Sequence, residues 1–134
     1  MGIAFENLGL LNKPFRDELI EAFTKVLDSG RLVLGENVEQ FEREFASYVG
    51  SNYCIGVSSG LDALEIAFRC SSLKRGDEVV VAANSYYACV LSILNAGLKP
   101  ILVEPDETLN MDPEEVKRVI TANTKGVLAV HMYG

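Results

Sequence analysis

Apolar residues at Phe15, Leu19, Phe23 and Val26 recur at helical spacing, and Gly30 follows them as a stop. Val38, Phe41, Phe45 and Tyr48 repeat the pattern up to Gly50. Two amphipathic helices are predicted. Between them Arg31-Leu32-Val33-Leu34 is an apolar loop flanked by glycines, expected to be packed against something. From Tyr53 the rhythm changes to short apolar runs alternating with helical stretches. Tyr53–Val57, Glu78–Ala82, Ile101–Glu104 and Gly126–His131 read as strands. Leu61–Cys70 and Tyr86–Asn95 read as helices. Asp112-Pro113-Glu114-Glu115 reads as a third helix start in this half. Asp112 caps, Pro113 takes the first helical position, and Glu115 is placed to close a capping box. Val116, Val119 and Ile120 give that helix its apolar face.

The order is helix, helix, then β-α-β-α-β-α-β. It predicts the α/β class: three layers, α/β/α, around a mostly parallel sheet covered on both faces. The expected division is 1–52, N-terminal helices and loop, and 53–134, the first part of the α/β domain. The chain stops directly after a strand, with nothing to cap or close the fold, so it is expected to be incomplete.

Composition narrows the class. The 134 residues are 49% hydrophobic and 23% charged, enough for a packed core. A net charge of −7 argues against nucleic acid or an anionic membrane as partner. No apolar run reaches the roughly 20 residues needed to span a bilayer. Met1 to Leu10 lacks the basic start and apolar stretch of a secretory leader. Cys54, Cys70 and Cys89 are widely spaced and form no CxxC pair. They read as reduced thiols, which suggests a cytoplasmic protein. With a single histidine as well, no metal site is expected.

Three places could carry chemistry. In Val57-Ser58-Ser59-Gly60-Leu61-Asp62 a strand pattern runs through two serines and a glycine into a helix. Free backbone amides and the positive helix end there suit one phosphate group, with a serine hydroxyl as an added donor. The pattern serves equally well as a plain helix cap by Ser59. Asp62 would repel a phosphate unless it points away. Asn84-Ser85-Tyr86-Tyr87 follows the next strand, where ligands of open parallel sheets bind. Its tyrosines could offer a flat face to a planar ligand, or simply pack and cover the core. His131, at the end of the last strand, reads as structural or catalytic.

Taken together these pieces resemble the N-terminal part of the DegT/DnrJ/StrS family of sugar-nucleotide aminotransferases. The matching stretches are Ser29-Gly30-Arg31-Leu32-Val33-Leu34-Gly35, Phe41-Glu42, Phe45-Ala46 and Ser58-Ser59-Gly60-Leu61-Asp62-Ala63-Leu64. They continue through Gly76-Asp77-Glu78-Val79, Asn84-Ser85-Tyr86 and Val103-Glu104-Pro105-Asp106. Asn110-Met111-Asp112-Pro113, Thr124-Lys125 and Val130-His131-Met132-Tyr133-Gly134 complete the set. Each motif is weak alone; the ordered set covers essentially the whole chain.

The resemblance implies a partial large domain of the fold type I transferases that use pyridoxal 5′-phosphate (PLP). It implies that the amides of Gly60 and Leu61 hold the cofactor phosphate, beside Ser59. Leu61 stands where many relatives have threonine, so a hydroxyl is lost while the amide remains. Tyr86 matches the aromatic residue that stacks on the cofactor ring. Leu61-Asp62 and Asn84-Ser85-Tyr86-Tyr87 are most similar to the subgroup that aminates C3 of a dTDP-linked 3-keto-6-deoxyhexose. The implied reaction moves an amino group, typically from glutamate, to a keto-sugar nucleotide, in a homodimer whose active sites borrow residues across the interface. None of the six lysines, Lys13, Lys25, Lys74, Lys99, Lys117 and Lys125, matches the family's Schiff-base lysine, which is expected downstream. No catalytic residue is therefore assigned within these 134 residues, and the chain by itself is expected to be inert. The family's sheet order sets Tyr53–Val57 at the far edge, away from the other three strands, so it should lack its neighbours here. Two further readings stay open. One is a PLP-dependent sugar dehydratase or deaminase of the same fold; the other is a non-catalytic domain that binds phosphate or a partner.

Overall fold

The structure, a computed structural model, describes residue 2 and residues 5–132. Tyr133 and Gly134, which close the motif starting at Val130, lie outside the described residues, as do Met1, Ile3 and Ala4. The chain groups into two compact units, Met1–Gly56 and Val57–Gly134.

The first unit is helical. It contains α1 (Leu8–Asn12), a 3-10 turn (Lys13–Phe15), α2 (Arg16–Ser29) and α3 (Glu36–Val49). The sequence reading missed α1, which is one short turn capped by Asn7, whose side chain accepts from Leu10 N at 3.0 Å. α2 and α3 end where expected, at Gly30 and Gly50, with φ of 66° and 73°. Only glycine takes that left-handed conformation without steric cost. α3 opens at Gly35, where a Cβ would lie 2.9 Å from the Arg31 carbonyl oxygen. The apolar loop departs from expectation. Leu32, Val33 and Leu34 are 64%, 80% and 70% exposed, and Gly30 and Leu34 both take positive φ, 66° and 50°.

Tyr53–Val57 also departs from its reading as a buried strand. It joins no ladder, and Tyr53 and Ile55 are 84% and 78% exposed. Its alternating pattern has no strand beside it among the described residues, so its backbone cannot form one.

The second unit is an α/β layer structure. It runs α4 (Gly60–Cys70), β1 (Glu78–Ala82), α5 (Tyr87–Asn95), β2 (Lys99–Val103), α6 (Pro113–Val119) and β3 (Thr124–Leu128). The sheet order is β2-β1-β3 and every pair is parallel, with Val80 opposite Ile101 on one side and Val127 on the other. Every residue of β1 is buried. Successive side chains of a strand point to opposite faces. Burial of Val79 and Val81 together with Val80 and Ala82 therefore means both faces of β1 are covered, as the α/β/α reading requires. The main core joins Val79 and Val81 to Cys89, Ile93 and Leu98, with Leu64, Phe68 and Leu128 packed against it.

β2 and β3 each begin two residues before the predicted start. β2 takes in Pro100, which an edge strand tolerates because its missing donor need not serve a ladder. β3 takes in the polar Thr124-Lys125-Gly126, with an irregularity where the pairing of β1 passes from Glu78 to Val79. At the start of β1 the buried Glu78 carboxylate accepts from Thr121 Oγ1 at 2.7 Å and Lys99 Nζ at 3.0 Å. These hydrogen bonds, with the Lys99 charge, hold its pKa below the ordinary carboxylate value. Asp112 caps α6 through Glu114 N at 2.8 Å. Glu115 pairs with Arg118 at 2.9 Å instead of closing the anticipated capping box. Among the described residues no helix is long and apolar enough to cross a membrane.

Candidate functional site

Two helix starts build the site. α4 begins at Gly60 with Ser59 as its cap in extended conformation. The Ser59 hydroxyl accepts from Asp62 N at 3.2 Å and donates to Asp62 Oδ2 at 2.8 Å. Ser58 Oγ also donates to Asp62 Oδ2. Together the two serine hydroxyls hold the Asp62 carboxyl below its ordinary pKa. Ala63 N reaches the Ser59 carbonyl at 3.0 Å, the first ordinary turn of the helix. The amides of Gly60 and Leu61 precede that turn and have no acceptor among the described residues. A Cβ added to Gly60 would meet nothing within 4 Å. The space in front of these donors is open, and the packing of the chain itself does not demand a glycine there.

The second helix start follows β1. Ser85 closes a turn on the Ala82 carbonyl with its N–H at 3.1 Å and its hydroxyl at 2.7 Å. Tyr86 then caps α5 in extended conformation, one position outside the helix that the sequence assigned it to. Tyr86 and Tyr87 are 65% and 63% exposed, so neither is a core residue. Their ring centroids lie 4.6 Å apart at 61°, edge to face. The Tyr87 hydroxyl, by hydrogen bonding and charge, raises the Tyr86 phenol above its ordinary pKa.

The structure brings these two starts together. Ser59, Gly60 and Leu61 share one cavity of about 630 Å³ with Tyr86 and Tyr87. That volume lies within the roughly 300–1,000 Å³ of small-molecule sites. All four residues singled out from the sequence, Ser59, Gly60, Leu61 and Tyr86, therefore face one space. The Ser59 hydroxyl is engaged with Asp62 in both directions, so the donors left for an anion are the Gly60 and Leu61 amides. His131 stands apart, exposed beside a separate cavity of about 420 Å³ with Met111 and Val116.

Comparison with known proteins decides the family. The model of the DegT/DnrJ/EryC1/StrS aminotransferase family matches residues 14–134. The chain belongs to this family. It is 46% identical, over 98% of its own length and 37% of the relative's, to a dTDP-3-amino-3,6-dideoxy-alpha-D-galactopyranose transaminase of Aneurinibacillus thermoaerophilus. Among solved structures it resembles Streptomyces venezuelae DesV in complex with a ketimine intermediate, at a TM-score of 0.89 and 41% identity. That match covers 98% of this chain and 36% of DesV. It also resembles an E. coli GDP-4-keto-6-deoxy-D-mannose-3-dehydratase with bound hydrated PLP, at a TM-score of 0.74 and 36% identity. There the coverage is 82% of this chain and 30% of the dehydratase. The chain thus spans little more than a third of the length of the Aneurinibacillus transaminase and of DesV, 37% and 36%. Of the motifs noted in the sequence, Ser58–Leu64 forms the start of α4, and Asn84-Ser85-Tyr86 and Val103–Asp106 form the turns after β1 and β2.

One contributor was not read from the sequence. Asn84 Nδ2 donates to the Leu109 carbonyl at 2.8 Å, tying the turn after β1 to the turn after β2. Only its place in the motif Asn84-Ser85-Tyr86 hinted at it.

Proposed function

We propose that the full-length protein transfers an amino group from an amino acid, glutamate in our reading, to a keto-sugar nucleotide with PLP as cofactor. The observation that carries this is the single cavity uniting two free helix-start amides with the exposed Tyr86 ring. The fit to PLP rests on the donor set. The Gly60 and Leu61 amides suit a phosphate, aided by the positive end of α4, and Ser59 sets the turn that presents them. The open space at Gly60 admits the phosphate close to the backbone. The Tyr86 ring offers a flat apolar face to a pyridine ring. When bound, PLP supplies the electron sink for amino-group transfer. These residues bind and orient it; the proton-carrying lysine that the family resemblance implies is not among them.

The dTDP-3-amino-sugar transaminase at 46% identity supports a dTDP-linked 3-keto-6-deoxyhexose as substrate over the chemistry of the dehydratase at 36%. We further place the protein in the cytoplasm, in keeping with its three free thiols, and propose a homodimer. The exposed Leu32-Val33-Leu34 loop is our candidate for buried contact between subunits. The test uses purified full-length protein. Bound PLP should show in its absorbance. Glutamate plus a dTDP-3-keto-6-deoxyhexose should give 2-oxoglutarate and an amino sugar by mass spectrometry. Uptake of PLP with loss of water from the sugar, and no amino product, would overturn the transfer reading. No PLP uptake would overturn the site itself. Sedimentation of the active protein as a monomer would refute the dimer.

A further inference from the structure

We infer that Asn84 is a positioning residue for the Tyr86 face, acting through its hydrogen bond to the Leu109 carbonyl; this rests on the reading of the Tyr86 cavity as a PLP site. Tyr86 has little packing to fix it. It is 65% exposed, and its aromatic partner among the described residues is its own neighbour Tyr87. The place from which its ring projects is therefore set by the backbone that carries it. Ala83 N donates to the Val103 carbonyl at 2.8 Å and Cys89 N to the Tyr86 carbonyl at 2.9 Å, and two contacts hold the turn between them. Ser85 closes on the Ala82 carbonyl, and Asn84, two residues before Tyr86, reaches across 25 residues of sequence to Leu109 at 2.8 Å.

The far end of this tie is a built structure. Asp106 Oδ1 accepts from Thr108 Oγ1 at 2.6 Å, Thr108 N at 2.8 Å and Asn110 N at 3.2 Å. Asp106 N donates to the Asn110 carbonyl at 2.8 Å, and Pro105 bridges Met111 in antiparallel fashion. This frame holds Leu109 at a φ of 64°, a conformation uncommon for a residue with a side chain. Its carbonyl is thereby turned to Asn84. The orientation of the Asn84 amide follows, since the reverse would set oxygen against oxygen. Its Oδ1 is left buried with no partner among the described residues. An unpaired buried acceptor is unfavourable, so the side chain keeps this orientation for the bond it makes on the other side.

The experiment compares PLP retention and the induced circular dichroism of bound PLP in the full-length protein. Asn84→Asp keeps the shape but presents a carboxylate oxygen to the Leu109 carbonyl. It should weaken retention roughly 2- to 10-fold, the range for one lost hydrogen bond, and alter the induced band. Leu109→Gly keeps the carbonyl and suits the left-handed backbone, so it should retain PLP as wild type does. In a Tyr86→Ala background Asn84→Asp should add no further loss, because the residue acts through that ring. A merely structural role would cost the same in both backgrounds. If Asn84→Asp does not fold, Asp106→Ala, which removes the oxygen that accepts from Thr108 and Asn110 in the turn presenting the carbonyl, takes its place with the same expected outcomes. Retention equal to wild type, or an undiminished loss in the Tyr86→Ala background, overturns the inference alone. Wild-type protein that takes up no PLP overturns the underlying reading and the inference with it.

Discussion

Replacing Gly60 by alanine should move stability and cofactor binding in opposite directions. Gly60 is the first residue of α4, and a Cβ there meets no atom within 4 Å. Its φ lies outside the positive range reserved for glycine. Alanine then fits without strain and narrows the unfolded ensemble. The expected gain is about 0.4–1 kcal/mol, or roughly 1–6 °C in melting temperature for a chain of this order of size. Binding should suffer instead. In a helix the Cα–Cβ bond tilts toward the N-terminus, so the new methyl projects into the space before the Gly60 and Leu61 amides. A phosphate forced back from one of these donors loses a hydrogen bond to a charged group, worth about 1.5–3 kcal/mol, or roughly 10- to 100-fold in affinity. The assay is a PLP titration of full-length protein followed by absorbance, beside thermal melts of the cofactor-free form. Gly60→Ala that binds PLP as wild type does would refute a phosphate at these amides. A clear loss of cofactor-free stability would refute the claim that packing does not need the glycine.

Tyr86→Ala should weaken PLP retention by about 0.5–1.5 kcal/mol beyond lost area, roughly 2- to 10-fold by equilibrium dialysis, while Tyr86→Phe should retain most of it. Ile93→Ala, at a residue with 0% exposure in the core against β1, should destabilise the protein by about 2–5 kcal/mol in denaturant titrations. Acidification should destabilise it too. The pKa of Glu78 is lowered in the fold, first by Thr121 and then by Lys99. Its contribution is therefore fully present above the unfolded carboxylate value, about 4.3. It is lost as pH falls through the lower folded value. Thermal melts from neutral to acidic pH should show that slope, and Glu78→Gln should flatten it.

The parts legible from sequence share a physical cause. β1 was read to the residue because burial on both faces demands an unbroken apolar run, here Val79-Val80-Val81. The edge strands carry no such demand, so Pro100 and Thr124-Lys125-Gly126 hid their starts. Gly30 and Gly50 announced helix ends because only glycine sits easily in the left-handed region there. Tyr53–Val57 shows the opposite case: the pattern of a strand without a neighbour to make it one. At the site each helix start was visible as a motif, but their meeting in one cavity depends on how α4 packs on α5, which no local pattern encodes. The engagement of Ser58 and Ser59 with Asp62 was half visible, since the doubt about a carboxylate beside a phosphate was already present. The tie from Asn84 to Leu109 spans 25 residues and was beyond local reading.

The central place of β1 has a consequence for synthesis. Its pairing partners both follow it in the chain. Lys99 of β2 comes 21 residues after Glu78, and Thr124 of β3 comes 46 residues after. A ribosome adding about 5–20 residues per second leaves the β3 edge of β1 without its strand for roughly 1–5 s after β2 has been made. During that interval Val79-Val80-Val81 is an apolar, β-branched segment with unpaired backbone, the kind that joins strands of other nascent chains. Glu78 sits at its head, its carboxylate unpaired until its partners Lys99, Thr121 and Thr124 arrive. The same carboxylate that later anchors the start of the sheet thus guards the strand while it waits.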